Sequence, residues 1–278
     1  MSTMALAALG SVLSAEEGGE AVDPSKVGFV PPSSLEFEYP DIFGGDTWLT
    51  KPVLQMVLAV VVVFLFFFLS SRKRAMVPGR FQFAGEGVYG FIRNGVGRDV
   101  IGHGFEKFVP YLVTLFAFIY VNNVMGIFPG LNFPTMSRIG FPIVLALFTW
   151  VIYNYVGMRK FGVYGYFKNM MFPPGVPKPV YILLAPIEFV STFLVRPVTL
   201  ALRLFANMFA GHLLLLVFIF GGAYMLANES LVLNILSPFA FVTAIGLTFF
   251  EALIQLLQAY IFTLLTALYI AGAMAEEH

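Results

Sequence analysis

Cysteine is absent from all 278 residues, which excludes a disulfide framework, a thiolate metal site and cysteine nucleophile chemistry. Charge is scarce as well. Only 12% of the chain is Asp, Glu, Lys or Arg, about half of what a soluble domain carries. No Lys or Arg follows Arg203. Nor does the chain hold an H-E-x-x-H pair, a Walker A loop or a paired-carboxylate motif, and His103, His212 and His278 are too scattered to form a metal cluster. What it has in excess is apolar side chains, 59% of residues, with a mean hydropathy of +0.84. Most of such a chain belongs in lipid.

The zero net charge conceals an asymmetry. Residues 1–51 hold eight of the sixteen acids and only two cations, Lys26 and Lys51. This acidic, Gly/Pro/Ser-rich stretch reads as an extramembrane N-terminal tail. Its apolar start, residues 4–13, lacks the cationic flank of a secretory leader. The membrane domain is expected from residue 52 to 278.

Residues 52–69 form an almost unbroken apolar run, long enough to cross about 30 Å of hydrocarbon, and end in the cluster Ser70-Ser71-Arg72-Lys73-Arg74. Residues 81–101 alternate apolar and polar side chains with a helical period, as in a helix lying on the membrane surface. Residues 109–128, interrupted by Asn122-Asn123, and 141–158 read as two further spans. Residues 181–224 and 231–275 each exceed forty residues with barely a charged break. At about 1.5 Å per residue each would reach some 65 Å. Each is either two spans or one steeply inclined helix, and the lack of an internal polar loop favours two inclined helices. The expected fold is therefore an all-α membrane protein of about five spans plus a surface amphipathic helix, closing in a long inclined hairpin. Lys and Arg number seven in residues 71–107 and four in residues 159–180, against one in 129–140. By the positive-inside rule the N-terminus lies outside and the C-terminus in the cytoplasm.

Gly85-Glu86-Gly87-Val88-Tyr89-Gly90 matches G-x-G-x-x-G, but that pattern marks a dinucleotide site only where a strand turns into a helix. Here it suits a flexible surface helix. Charge inside the apolar segments is the more telling feature. Arg203 sits in mid-segment with Glu188, Arg196, Asn207 and His212 around it in sequence, while Glu251, Gln255 and Gln258 share one face of the last segment. An arginine at the bilayer centre costs at least about 2.5 to 3.5 kcal/mol, so such groups normally face protein or a water-filled path. In an antiparallel hairpin, matched depths have a constant sum of residue numbers. Arg203 with Gln258, Asn207 with Gln255 and His212 with Glu251 satisfy that rule nearly equally. Helical rotation sets His212 roughly opposite Arg203, implying two polar regions separated by a fixed cation.

The run Pro197-Val198-Thr199-Leu200-Ala201-Leu202-Arg203-Leu204-Phe205-Ala206-Asn207-Met208-Phe209-Ala210-Gly211-His212 closely resembles the signature of subunit a of F-type ATP synthases. Gln258-Ala259-Tyr260-Ile261-Phe262 resembles that family's last helix, and Asn122-Asn123-Val124-Met125-Gly126-Ile127-Phe128-Pro129 an earlier span. Pro78-Gly79 with Gln82 and Glu86 resembles its surface segment. The likeness covers about residues 78–272. It implies a non-catalytic, proton-translocating stator in a bacterial inner membrane, with two aqueous half-channels. The implied partners are a c-ring, b-type peripheral stalk subunits, the soluble ATPase head indirectly, and lipid; no nucleic acid, cofactor or metal is expected. Arg203 would face the ring carboxylates, with Asn207 and Gln258 as its polar neighbours; Gln255, on the same face of the last segment, is counted with them among the proton-translocation residues. His212 and Glu251 would line the outer half-channel, with the two residue types exchanged relative to many bacterial relatives, and Glu188 would serve the inner one. Two departures stand out. Gly126 replaces an acid found in many relatives, and Glu188 lies nine residues before Pro197 instead of the usual eight. The competing class, a stand-alone proton-coupled secondary transporter, usually shows internal repeats and discontinuous helices, and neither is visible here. A purely structural scaffold leaves Arg203 unexplained.

Overall fold

The computed structural model describes residues 29, 31–32, 51–72, 79–128, 134–171, 180–228 and 230–275. The acidic tail lies almost wholly outside them, as do Lys73, Arg74, Pro78, Pro129, Glu229 and His278. Among the described residues every regular element is a helix, and five stretches are long and apolar enough to cross a membrane. Chain contacts divide the described residues into two compact units, which fall within Met1–Glu38 with Ala210–Glu251 and within Tyr39–Phe209 with Ala252–His278.

In the larger unit, α1 (Lys51–Arg72) is exposed on most sides. Its packed stripe is Gln55, Ala59, Val63 and Ser70, a helical repeat along one face. The Leu, Val and Phe side chains on its other faces suit lipid. Its end meets α2 (Arg80–Ile92): Ser70 Oγ donates to the Phe81 carbonyl at 2.9 Å. A Cβ on Gly85 would overlap the Ser70 side chain, so glycine permits this crossing. The G-x-G-x-x-G stretch is thus interior to a helix, where no strand-to-helix phosphate loop exists. Beyond Ile92 the coil widens into a π-helix, Arg93–Ile101. Gly102 and Gly104, at φ 71° and 76°, then turn the chain through a conformation that glycine tolerates best.

Helix α3 (Val109–Ile127) is the central post of this unit, with Leu112, Phe116, Ile119, Asn122 and Asn123 buried. The asparagine pair does not interrupt it. Asn122 Nδ2 donates to the Phe118 carbonyl one turn back at 2.8 Å, which accommodates the amide inside a continuous helix.

Helix α4 (Gly140–Met171) outruns the expected span by thirteen residues, so the basic stretch 159–180 is helical over its first half. The backbone breaks at Gly162 (φ 71°, ψ 163°). Tyr166 beyond the break packs on Gly157 and donates to Asn154 Oδ1 at 2.9 Å. Lys160 Nζ donates to the Met274 carbonyl at 2.7 Å, satisfying a helix end with a cation.

The final two apolar segments are single long helices, as expected. The first is α5 (Tyr181–Val190), a π-turn (Ser191–Val195) and α6 (Arg196–Ala227) in unbroken succession. The second, α7 (Leu231–Met274), runs 44 residues, or about 66 Å. In the smaller unit the hairpin is closed by small residues. Ser237 Oγ donates to the Gly222 carbonyl at 2.8 Å, and a Cβ on Gly222 would stand 3.3 Å from Ala240 Cβ.

Candidate functional site

The start of α6 sorts its side chains by face. Leu200, Leu204 and Met208 are buried, a repeat of four that anchors the helix in the core. Thr199, Arg203, Ala206 and Asn207 occupy the exposed face. Arg203 therefore projects from an apolar helix, flanked by short side chains that leave its guanidinium accessible to a partner.

Asn207 Nδ2 donates to Gln258 Oε1 at 2.7 Å. This bond joins Asn207 to Gln258 and not to Gln255, the residue expected at its own backbone depth. The cause is the tilt of side chains toward the N-terminus of their own helix. In an antiparallel pair the two amides lean toward each other, so residues that bond lie about one turn beyond matched Cα depth. Gln258 Nε2 is buried without a hydrogen-bond partner among the described residues, and Gln255 is buried one turn earlier on α7. Together Gln255, Gln258, Ala259 and Phe262 form the inward face of this stretch of α7.

In the smaller unit Glu251 is buried and packs on the backbone beside His212. A Cβ on Gly211 would lie 3.3 Å from Glu251 Cδ and Oε1. Glycine at 211 thus admits the carboxyl group close to α6, next to half-buried His212. The two proton-exchanging residues expected at one depth are on facing helices in one region.

Glu188, half-buried on α5, belongs to the larger unit. Arg196, eight residues on, holds its guanidinium over the Tyr269 ring, 5.5 Å from the centroid, a cation–π arrangement. Around them is a polar network that sequence reasoning passed over. Buried Tyr153 donates to the Thr192 carbonyl at 2.7 Å, its ring sits 5.7 Å from that of Tyr269, and Tyr166 bonds Asn154. Adjacent Tyr153-Asn154 in an apolar span was the available signal.

The departure at Gly126 has a steric basis. A Cβ there would come within 3.0 Å of Pro134 Cα and 3.1 Å of Met208 Cε. An aspartate would need Pro134 to give by a few tenths of an ångström. Asn123, three residues earlier, is fully buried with neither amide atom bonded among the described residues.

Residues 53–271 match the family model described as ATP synthase A chain. The chain is 54% identical over 262 residues to an ATP synthase subunit a from Nocardioides sp., covering 90% of this chain and 95% of that protein. It is 44% identical over 273 residues to one from Pseudarthrobacter chlorophenolicus, covering 96% and 98%, and 45% identical over 269 residues to one from Parafrankia sp., covering 96% and 89%. With the match running from α1 nearly to the end of α7, and relatives aligned over almost their whole length, the chain belongs to the ATP synthase A chain family.

Proposed function

We propose that this chain is the proton-translocating stator subunit of an F-type ATP synthase, a non-catalytic part of the complex that converts proton flow into rotation. The observation that carries the reading is Arg203, a permanent cation exposed on an apolar helix deep in the chain, with the Asn207–Gln258 amide pair beside it. Lipid cannot stabilise that charge. A carboxylate passing on a rotor can.

A rotor carboxylate crosses lipid only when protonated. At the stator it must release a proton to one compartment and take one from the other. The Arg203 guanidinium stabilises the ionised carboxylate by Coulomb attraction in a medium of low dielectric constant. The same charge repels a proton attempting to pass directly between the two paths. Asn207 and Gln258, already bonded to each other, offer a fixed polar surface there, with Gln255 next to it. His212 and Glu251 serve the outer half-channel and Glu188 the inner. Each proton that crosses supplies about 2.3 kcal/mol per 100 mV. The partners of this reading are a c-ring, b-type stalk subunits and, indirectly, the soluble head. The acidic residues 1–51 stand outside the membrane ahead of the membrane domain 52–278, and the C-terminus is cytoplasmic. Five apolar helices and the family membership support a multi-pass membrane protein; a stand-alone secondary transporter is not favoured.

The test is Arg203→Ala in the assembled complex. ATP-driven acidification of inverted vesicles and ATP synthesis should both be abolished, while the soluble head still hydrolyses ATP. Normal coupled pumping in a fully assembled variant would refute the assignment.

A further inference from the structure

We propose that Tyr153 is a positioning residue, whose hydroxyl holds the π-turn between α5 and α6 and so keeps Glu188 on the face of Arg196. The proposal rests on the reading of Glu188 as an inner half-channel group, and its test separates the two.

The π-turn explains the surplus residue between Glu188 and Pro197. In continuous α-helix, eight residues at about 100° each would carry Arg196 some 80° past Glu188. A π-turn takes up one residue, and the remaining seven bring the two within about 20°. Burial records the same correction. Ala185, Thr192, Leu200 and Leu204 are all buried, although Thr192 and Leu200 are eight residues apart. One packed face therefore continues through the turn, and Glu188 and Arg203 each lie three residues beyond a member of it.

The turn also leaves one carbonyl without a main-chain donor. The Arg196 N–H bonds the Ser191 carbonyl, five residues back. In α-helix it would have served Thr192 instead. The donor that Thr192 would find in π register is residue 197, a proline with no N–H. Both main-chain donors for the Thr192 carbonyl are thus lost, at a position that is buried. The Tyr153 hydroxyl supplies the missing bond at 2.7 Å. A buried carbonyl stripped of its bond favours another backbone geometry, and the nearest is a return to α with Glu188 swung off the shared face.

The experiment uses the absence of cysteine. Glu188→Cys is introduced into the complete complex, and its alkylation by a water-soluble maleimide is followed in inverted vesicles. Adding Tyr153→Phe should change the labelling rate on the order of fivefold. The same substitution should have no effect once Ser191 is deleted, because Thr192 then receives the Arg196 N–H in ordinary α register. Pro197→Ala, which returns a donor at position 197, should likewise make Tyr153→Phe silent, and it serves where the deletion does not assemble. An unchanged rate in the full-length background, or an equal change in all backgrounds, overturns the proposal and leaves Tyr153 as packing. In a separate arm Glu188→Gln is assayed for acidification. Normal pumping there removes Glu188 from the proton path without touching the positioning result.

Discussion

Polar side chains in this molecule lie where short neighbours make room for them. Glu251 reaches α6 because residue 211 is glycine, and this close approach gives the coupling of Glu251 and His212 a direct test. Two unlike proton-exchanging groups relay protons better than either alone. Glu251→Ala is expected to slow ATP-driven acidification strongly and His212→Ala less so. The double exchange His212→Glu with Glu251→His should recover more activity than the worse of its two single substitutions, with assembly verified by blotting. A double exchange that does no better would make Glu251 an independent group and His212 a packing residue. At this scale, Arg203, Glu251 and the two glutamines were legible in the sequence because charge or amide in an apolar run is costly and conspicuous. Tyr153 was not. A tyrosine fits a membrane span as well as a polar network, and only the fold brings its hydroxyl to the Thr192 carbonyl.

For the helices, hydrophobic run length gave nearly every start and stop to within a few residues, and correctly made single helices of the last two segments. It failed at α4. The charges of Arg159, Lys160 and Lys168 read as a loop, yet the helix resumes after Gly162 and returns onto its own preceding turns. The cause is tertiary: Tyr166 finds both a flat seat on Gly157 and an acceptor on Asn154. A methyl group at 157 would stand in the Tyr166 ring, 2.6 Å from Cδ2. Gly157→Ala should therefore cost about 1–3 kcal/mol by overpacking and free the segment after Gly162. Limited proteolysis of the complex in detergent should cut residues 163–171 faster than in the parent chain, and equal rates would show that the seat is not what holds this leg. The π-turn was equally hidden. The surplus residue before Pro197 was visible, but whether it is absorbed as a bulge or a rotation depends on which face is buried.

For the molecule as a whole, orientation rests on the eleven cations of residues 71–107 and 159–180. A cysteine at position 20 (Glu20→Cys) is expected to react with an impermeant maleimide in intact cells, and one at position 168 (Lys168→Cys) only after permeabilisation. The reverse pattern would invert the topology and exchange the inner and outer half-channels. The exposed Arg203 has a further consequence, for biogenesis. An arginine facing hydrocarbon carries a penalty of at least about 2.5 to 3.5 kcal/mol, roughly a hundredfold in the inserted fraction, and no later cation helps to anchor the hairpin that bears it. A newly made copy is therefore least secure while alone, and secure once a carboxylate covers that charge. If Arg203 serves a ring as proposed, the same residue also orders assembly, because the subunit gains its full hold on the membrane only beside a ring carboxylate.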